Sequence, residues 1–203
     1  MSKQVYISAD YSPSDGDRNV VETLNQWGRD DYHKVDFIDM SKVSSGSVSN
    51  EPDCRICDLK REFNHQINAS SAVIIVIGNK TATRTAGSSC DRNGKDQYSC
   101  WCTPYKQNTN GTKMCKVAFT STPSPGDDLG NINRYSYLRH EFEQAKRKGK
   151  TIIVVYNSTR QEPSWLPVYM KEYATIARPF WIINALGMKV GNYTYIKEVL
   201  GFE

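Results

Sequence analysis

The chain has 203 residues, of which 38% are hydrophobic, 24% charged and 11% aromatic, a composition typical of a globular protein with one sizeable core. The net charge of +4 at pH 7 is small and the basic residues are dispersed, so we expect no nucleic-acid partner. No segment is apolar over the length that spans a bilayer, and the N-terminus lacks the pattern of a signal peptide. We therefore expect a cytoplasmic protein that does not contact membranes.

The first part of the chain alternates between strand-like and helix-like patterns. "QVYISA" (Gln4–Ala9) predicts a strand, and "RNVVETLNQW" predicts a helix with Ser14 or Asp15 as its N-cap. "KVDFIDM" (Lys34–Met40) predicts a second strand, and "CDLKREFNHQINAS" predicts a second helix. The unbroken apolar run "SAVIIVIG" is typical of a strand that is buried on both faces of a parallel sheet.

Residues 81–133 interrupt this alternation, because they have no sustained period and are rich in Gly, Asn, Ser, Thr and Pro. So long an irregular stretch is unusual inside a compact domain, and we interpret it as an insertion. The pattern then resumes with a helix near Tyr135–Lys148 and the apolar strand "TIIVVYN". "RPFWIINAL" (Arg178–Leu186) predicts a fifth strand, and "NYTYIKEVLG" a short final helix.

Strands that alternate with helices predict one α/β domain over residues 1–203, with a parallel five-stranded, flavodoxin-like sheet flanked by helices. Ligands of such sheets bind beyond the carboxyl ends of the strands. In this chain that edge carries the segments "SADYSPSDGD", "DMSKV", "GNKT" and "YNS".

Glu141 is out of place on the last long helix. Leu138, Phe142 and Ala145 form the apolar stripe of this helix, and Glu141 lies about 60° from the centre of that stripe. A structural interpretation is a partly buried carboxylate that pairs with Arg139 or with a cation from a loop. A functional interpretation is an anion near a helix N-terminus at the ligand-binding edge of the sheet. The helix pattern alone does not decide between the two.

The stretch "SYLRHEFEQAKRKGKTIIVV", together with "CDLKREFNHQINASSAVIIVIGNKT", "VYISADYS" and "FIDMS", resembles the Toll/interleukin-1 receptor (TIR) family, and especially the stand-alone TIR-like proteins of bacterial Thoeris anti-phage defence. In these proteins a helix with an aromatic, aliphatic, Arg, aromatic, Glu pattern carries the catalytic glutamate of NAD cleavage. The matching residues here are Tyr137, Leu138, Arg139, His140 and Glu141. Tyr137 stands where the family usually has Trp, His140 replaces an aromatic residue, and the preceding insertion is longer than in the family.

The resemblance implies a catalytic role for Glu141 and NAD as a substrate, with no prosthetic group. The first loop would hold the nicotinamide ribose and the neighbouring phosphates, although turn residues with Asp10 as a helix cap would give the same pattern. Asp39 and Ser41, after the second strand, and Asn79, after the third, lie at the same carboxyl edge of the sheet. The residues that we predict to bind NAD are Ser8, Ala9, Asp10, Tyr11, Asp39, Asn79 and Tyr137.

The resemblance also implies partners. A TIR-like chain without a fused effector domain would make a diffusible signal derived from ADP-ribose, in linear or cyclic form, that activates a separate effector protein. The Ser/Gly-rich loop from Ser41 to Asp53 corresponds to the loop through which many TIR domains contact one another, so we expect self-association.

Six cysteines without a secretion signal are unlike a disulfide scaffold. Thiolate pairs at short spacing suit tetrahedral zinc, but the spacing is not that of a standard zinc finger, so we favour reduced buried thiols and predict no metal. The candidate zinc ligands are Cys54, Cys57, Cys100 and Cys102, and the remaining cysteines are Cys90 and Cys115. The three histidines are scattered, which favours surface or packing positions: His33, His65 and His140.

Two other functions remain open at this level. The first is a TIR module that binds other proteins without catalysis, in which Glu141 is a structural residue. The second is an enzyme similar to nucleoside deoxyribosyltransferases, in which Glu141 is a nucleophile that becomes covalently labelled.

Overall fold

The computed structural model describes residues 3–12, 16–29, 35–39, 52–84 and 136–202. The strands are β1 (Lys3–Ser8), β2 (Val35–Asp39), β3 (Ala72–Ile77), β4 (Thr151–Tyr156), β5 (Arg178–Pro179), β6 (Trp181–Ile183) and β7 (Lys189–Gly191). The α-helices are α1 (Arg18–Trp27), α2 (Pro52–Ala69), α3 (Tyr137–Arg147) and α4 (Tyr193–Val199), and two 3-10 segments cover Pro163–Trp165 and Val168–Tyr173. The predicted insertion lies outside the described residues, except for Thr81 to Arg84.

Five strands form one parallel sheet in the order β2-β1-β3-β4-β5. This is the flavodoxin-like order, in which the chain changes direction across the sheet between β1 and β3. The predicted α/β fold is therefore confirmed. Every residue of β3 is buried, as the unbroken apolar run indicates for a central strand.

The two faces of the sheet carry separate cores, because successive side chains of a strand point to opposite faces. Val5 and Ile7 of β1 pack on the face that α1 and α4 cover. Tyr6, between them, packs on the face that α2 and α3 cover. This alternation directs the even-numbered residues of β1 toward α3.

Two local predictions, the length of the fifth strand and the cap of α1, differ from the structure. The predicted fifth strand (Arg178–Leu186) pairs with β4 over two residues only, because β4 ends at Tyr156, opposite Pro179. The chain then forms a separate antiparallel pair of strands, β6 and β7. Helix α1 covers the predicted residues Arg18–Trp27, but its N-cap is Asp17 rather than Ser14 or Asp15, and Asp17 makes no side-chain cap hydrogen bond. The short final helix is confirmed as α4.

Polar contacts fix α3 against α2. His140 Nε2 and Asn64 Oδ1 lie 3.0 Å apart, and Gln144 Nε2 donates to Asn68 Oδ1 over 2.9 Å. His140 and Gln144 are fully buried, so these bonds specify one rotation and one height of the helix. Within the described residues, no helix is both long and apolar enough to span a bilayer.

Ser136 starts α3, because its side chain accepts a hydrogen bond of 3.0 Å from the backbone N–H of Arg139. Removal of such a cap costs about 1 kcal/mol. We therefore expect Ser136→Ala to lower the melting temperature by about 2–4 °C in differential scanning calorimetry. Ser164→Ala, in an exposed 3-10 segment, is the control and should melt like the wild type. Equal melting of both variants would contradict the role of the cap.

Candidate active site

The carboxyl group of Glu141 lies inside the protein, at the end of β1. Tyr6 Oη donates a hydrogen bond of 2.8 Å to Glu141 Oε1, and Ser8 Oγ donates to Glu141 Oε2. Only 2% of Glu141 is exposed, so the residue is more deeply buried than its place at the edge of the apolar stripe indicates. The helix buries a wider face than the stripe, because it packs on both α2 and the sheet.

Burial determines the charge of this carboxyl group. Desolvation raises the pKa of Glu141 from an ordinary value of 4.5 to about 8, although the hydrogen bonds from Ser8 and Tyr6 lower it. The partners of Glu141 among the described residues are hydroxyl groups and not Arg139, whose guanidinium carbon lies 5.2 Å from the ring centroid of Tyr169. At neutral pH the group is therefore mostly protonated in the unliganded protein.

The predicted binding residues of the first loop are held in several contacts. Ala9 is buried. Asp10 accepts a hydrogen bond of 2.6 Å from Arg84 Nε and one of 3.0 Å from the backbone N–H of Ser12. Tyr11 is partly buried and donates from its hydroxyl to the carbonyl of Ile7 over 3.1 Å. Asp10 thus fixes the loop and does not cap a helix.

The other predicted binding residues lie further apart. Asn79 is exposed in the turn after β3. Tyr137 begins α3 and packs edge to face on Phe63, with ring centroids 5.6 Å apart. Asp39 ends β2 opposite Ile7, and its side chain lies outside the described part of the structure, as does Ser41. Of the predicted binding residues, the structure therefore brings Ser8 into direct contact with Glu141.

The zinc prediction falls largely outside the described residues. Cys54 and Cys57 belong to α2, but their side chains are not described, and the other four cysteines lie in residues 85–135. No group of three or more His, Cys, Asp and Glu side chains that is suited to a metal ion occurs in the described ranges. The described residues therefore do not test the choice between reduced thiols and the alternative zinc site.

Tyr6 is a site residue that the sequence analysis missed. It is fully buried in the middle of β1, and it lies on the same face of the strand as Ser8. A buried tyrosine hydroxyl usually has a hydrogen-bond partner, so the apolar context of Tyr6 was the signal available in the sequence. The strand pattern does not indicate that Glu141 is this partner.

A second polar cluster, centred on Asn157, was also missed. Asn157 follows β4, and its Nδ2 donates to Asp17 Oδ1 over 2.9 Å and to Asn19 Oδ1 over 3.0 Å. Its Oδ1 accepts from Trp181 Nε1 over 2.8 Å. Burial raises the pKa of Asp17 to about 6, although the hydrogen bond from Asn157 lowers it. The cluster lies at the carboxyl edge of the sheet, next to α1.

The raised pKa of Glu141 makes this residue unfavourable for stability above pH 4.5. The folded protein keeps a proton that the unfolded chain has released, so the free energy of unfolding falls as the pH rises from 4.5 to about 8. We expect Glu141→Gln to remove this fall, so that its stability relative to the wild type rises by about 1.4 kcal/mol for each pH unit in that window. Urea unfolding between pH 4.5 and 8 measures the difference.

The control for this measurement is Glu198→Gln, at an exposed position of α4. Its stability should follow the wild type at every pH. Parallel pH dependence of the wild type and Glu141→Gln would contradict the buried, protonated carboxyl group.

Residues 6–86 match the family model described as "Thoeris protein ThsB, TIR-like domain". No curated protein and no solved structure gives a significant match. The matched range covers the second half of β1 and all of β2 and β3, and the parallel sheet continues beyond it in the flavodoxin-like order. The match ends before α3, so it does not include Glu141, and the predicted catalytic role of this residue depends on the geometry of the site. The matched segment and the parallel sheet together support a TIR-like protein of the Thoeris type.

Proposed function

We propose that this protein cleaves the bond between nicotinamide and ribose in NAD, with Glu141 as its catalytic residue. The observation that carries the proposal is the buried carboxyl group of Glu141, held by the hydroxyl groups of Tyr6 and Ser8 where β1 ends. The carboxyl ends of parallel strands are where such folds bind ligands. NAD as the substrate is what the resemblance to TIR enzymes implies, and the family match supports that resemblance.

The chemistry needs one carboxylate. Nicotinamide leaves as a neutral base because the electron pair of the broken bond goes to the positively charged ring nitrogen, so no general acid is required. The ribose is left with the character of an oxocarbenium ion, and a carboxylate held nearby stabilises this positive charge. Water then adds to the sugar carbon and releases a proton, or a nucleophilic atom of the same nucleotide adds and forms a cyclic product.

The protonation of Glu141 suits a cationic substrate. The carboxyl group is mostly neutral in the unliganded protein, because burial raises its pKa to about 8. A pyridinium ring nearby favours the ionised form and lowers the pKa, and the attraction is strong because the carboxyl group is buried. Only 2% of Glu141 is exposed, so substrate binding has to uncover this carboxyl group.

The remaining parts of the proposal follow the family. The first loop (Ser8, Ala9, Asp10 and Tyr11) would contact the ribose and phosphates, and Asp39, Asn79 and Tyr137 would extend the site. The product would be an ADP-ribose derivative that activates a separate effector protein in anti-phage defence. Self-association through the loop that begins at Ser41 would promote activity, in which case the rate would rise more than linearly with protein concentration.

Glu141→Gln tests the catalytic role. It keeps the shape of the side chain but removes its charge, so we expect nicotinamide release to fall by about two to three decades. The purified proteins are incubated with NAD at high protein concentration, and the products are separated by mass spectrometry, which also identifies the ADP-ribosyl product. Glu143→Gln, on the same helix and partly exposed, is the control and should keep the wild-type rate.

Two other results would redirect the assignment. Absence of nicotinamide release from the wild type, even with phage-infected lysate added, would favour a TIR module that binds other proteins. Covalent labelling of Glu141 together with base exchange on deoxynucleosides would favour the deoxyribosyltransferase chemistry.

Tyr6→Phe tests whether the β1 hydroxyl groups adjust the acidity of Glu141. The hydrogen bond from Tyr6 lowers the pKa of Glu141, so its loss should move the rising limb of the kcat–pH profile to higher pH. A hydrogen bond to a charged group contributes about 1.5 kcal/mol, so we expect kcat at pH 7 to fall roughly tenfold. Tyr195→Phe, whose hydroxyl contacts the carbonyl of Ile176, is the matched control. An unshifted profile would show that Tyr6 serves packing alone.

A further inference from the structure

We propose that Asp17 and Asn157 are positioning residues that clamp the loop between β1 and α1 against the ends of β3 and β4, and that this clamp is required for NAD binding. The inference rests on the proposed function and extends it to a second set of side chains. These side chains lie on the face of the sheet opposite to Glu141.

The Asn157 side chain uses all of its hydrogen-bonding groups. Its two N–H groups serve Asp17 and Asn19, and its oxygen accepts from Trp181 and, over 3.2 Å, from Asn19 Nδ2. The amide therefore connects the end of β4 to the start of α1 and to β6. So many partners allow Asn157 one orientation, which in turn fixes the position of Asp17.

Asp17 also contacts the end of β3. A Cβ atom placed on Gly78 would lie 2.4 Å from Asp17 Oδ1 and 2.9 Å from Oδ2, so the carboxylate occupies the space that a side chain would need. Only glycine allows this approach. Asp17 thereby connects the loop after β1 with both neighbouring strands at the carboxyl edge of the sheet.

The backbone of the same loop closes on itself. The N–H of Asp17 donates to the carbonyl of Asp10 over 2.6 Å, and the N–H of Gly16 donates to the carbonyl of Ser12 over 3.2 Å. Gly16 has no room for a side chain, since its Cβ would lie 2.4 Å from the Asp10 carbonyl oxygen. Movement of Asp17 would therefore move both ends of the loop.

The chemistry of the clamp points to function as well as to folding. Asp17 is 3% exposed, and burial raises its pKa to about 6, so the ionised side chain is unfavourable in this position. The loop begins next to Ser8, which donates to Glu141. Fixing the loop therefore fixes the predicted NAD-binding backbone relative to the catalytic carboxyl group. Preorganised backbone of this kind increases affinity because less ordering is needed on binding.

The experiment separates binding from cleavage by measuring the Kd for NAD in the Glu141→Gln background with isothermal titration calorimetry. Adding Asp17→Ala should weaken NAD binding about tenfold, because it removes the charged acceptor of Asn157. Adding Asp17→Asn, which keeps an oxygen acceptor, should restore the affinity to within about threefold. Thr23→Ala, a change on α1 that loses only a bond within the helix, is the control.

Hydrogen exchange of the loop gives a readout that does not depend on NAD. The amides of Gly16 and Asp17 should exchange faster in Asp17→Ala than in Asp17→Asn or Thr23→Ala. If Asp17→Ala does not fold, Asn157→Ala replaces it in both experiments. This variant removes the hydrogen-bond donor of Asp17 but leaves the carboxylate against Gly78, and it should also weaken NAD binding and speed the exchange of the two amides.

If Asp17→Ala makes the Gly16 and Asp17 amides exchange faster but leaves the Kd for NAD unchanged, the positioning role is overturned. Unchanged exchange of these amides in Asp17→Ala would also overturn it. If the Glu141→Gln protein does not bind NAD and the wild type releases no nicotinamide, the proposed function fails and this inference fails with it. If the wild type releases nicotinamide but substitution of Asp17 changes neither the Kd for NAD nor the hydrogen exchange of the loop, the clamp is overturned and the proposed function is not.

Discussion

The buried contact between Glu141 and the hydroxyl groups of Tyr6 and Ser8 is the interaction on which the rest of the site depends. An ionisable group in the interior is unfavourable unless hydrogen bonds compensate for the lost water. The two hydroxyl groups can compensate only while α3 keeps its height and rotation over β1. The cap at Ser136 and the buried contacts of His140 with α2 specify that placement. Polar contacts of other residues on α3 therefore help to place the carboxyl group.

β1 connects two polar clusters on opposite faces of the sheet. Ser8, its last residue, contacts Glu141 on the α3 face. The loop that follows β1 leads to Asp17 and Asn157 on the α1 face. Both clusters lie at the carboxyl edge because parallel strands all end there. A substrate bound at this edge would meet a carboxyl group that is neutral at rest and, at Asp10 and Asp17, a backbone held by hydrogen bonds.

Hydrophobic periodicity predicted the order of strands and helices, and local contacts explain why the fifth strand and the cap of α1 differ from the prediction. β3 and β4 were recognised as central strands because burial on both faces requires apolar residues throughout. The segment after Pro179 has the composition of a strand, but β4 offers it no further partner, so it forms a hairpin with β7. The cap of α1 was assigned wrongly because Asp17 uses its carboxylate for a distant residue, Asn157, instead of its own helix.

The sequence by itself determined the order of strands and helices, the parallel sheet and the choice of Glu141 as the unusual carboxylate, because periodicity and composition are local properties. Tertiary structure alone decided what surrounds that carboxylate. Tyr6 and Glu141 are separated by 135 positions, and Asp17 and Asn157 by 140. Helix packing and strand order bring such pairs together, and no local sequence pattern shows which distant side chain forms a hydrogen bond with a given polar group. The depth of burial, and with it the raised pKa of Glu141, follows from that packing.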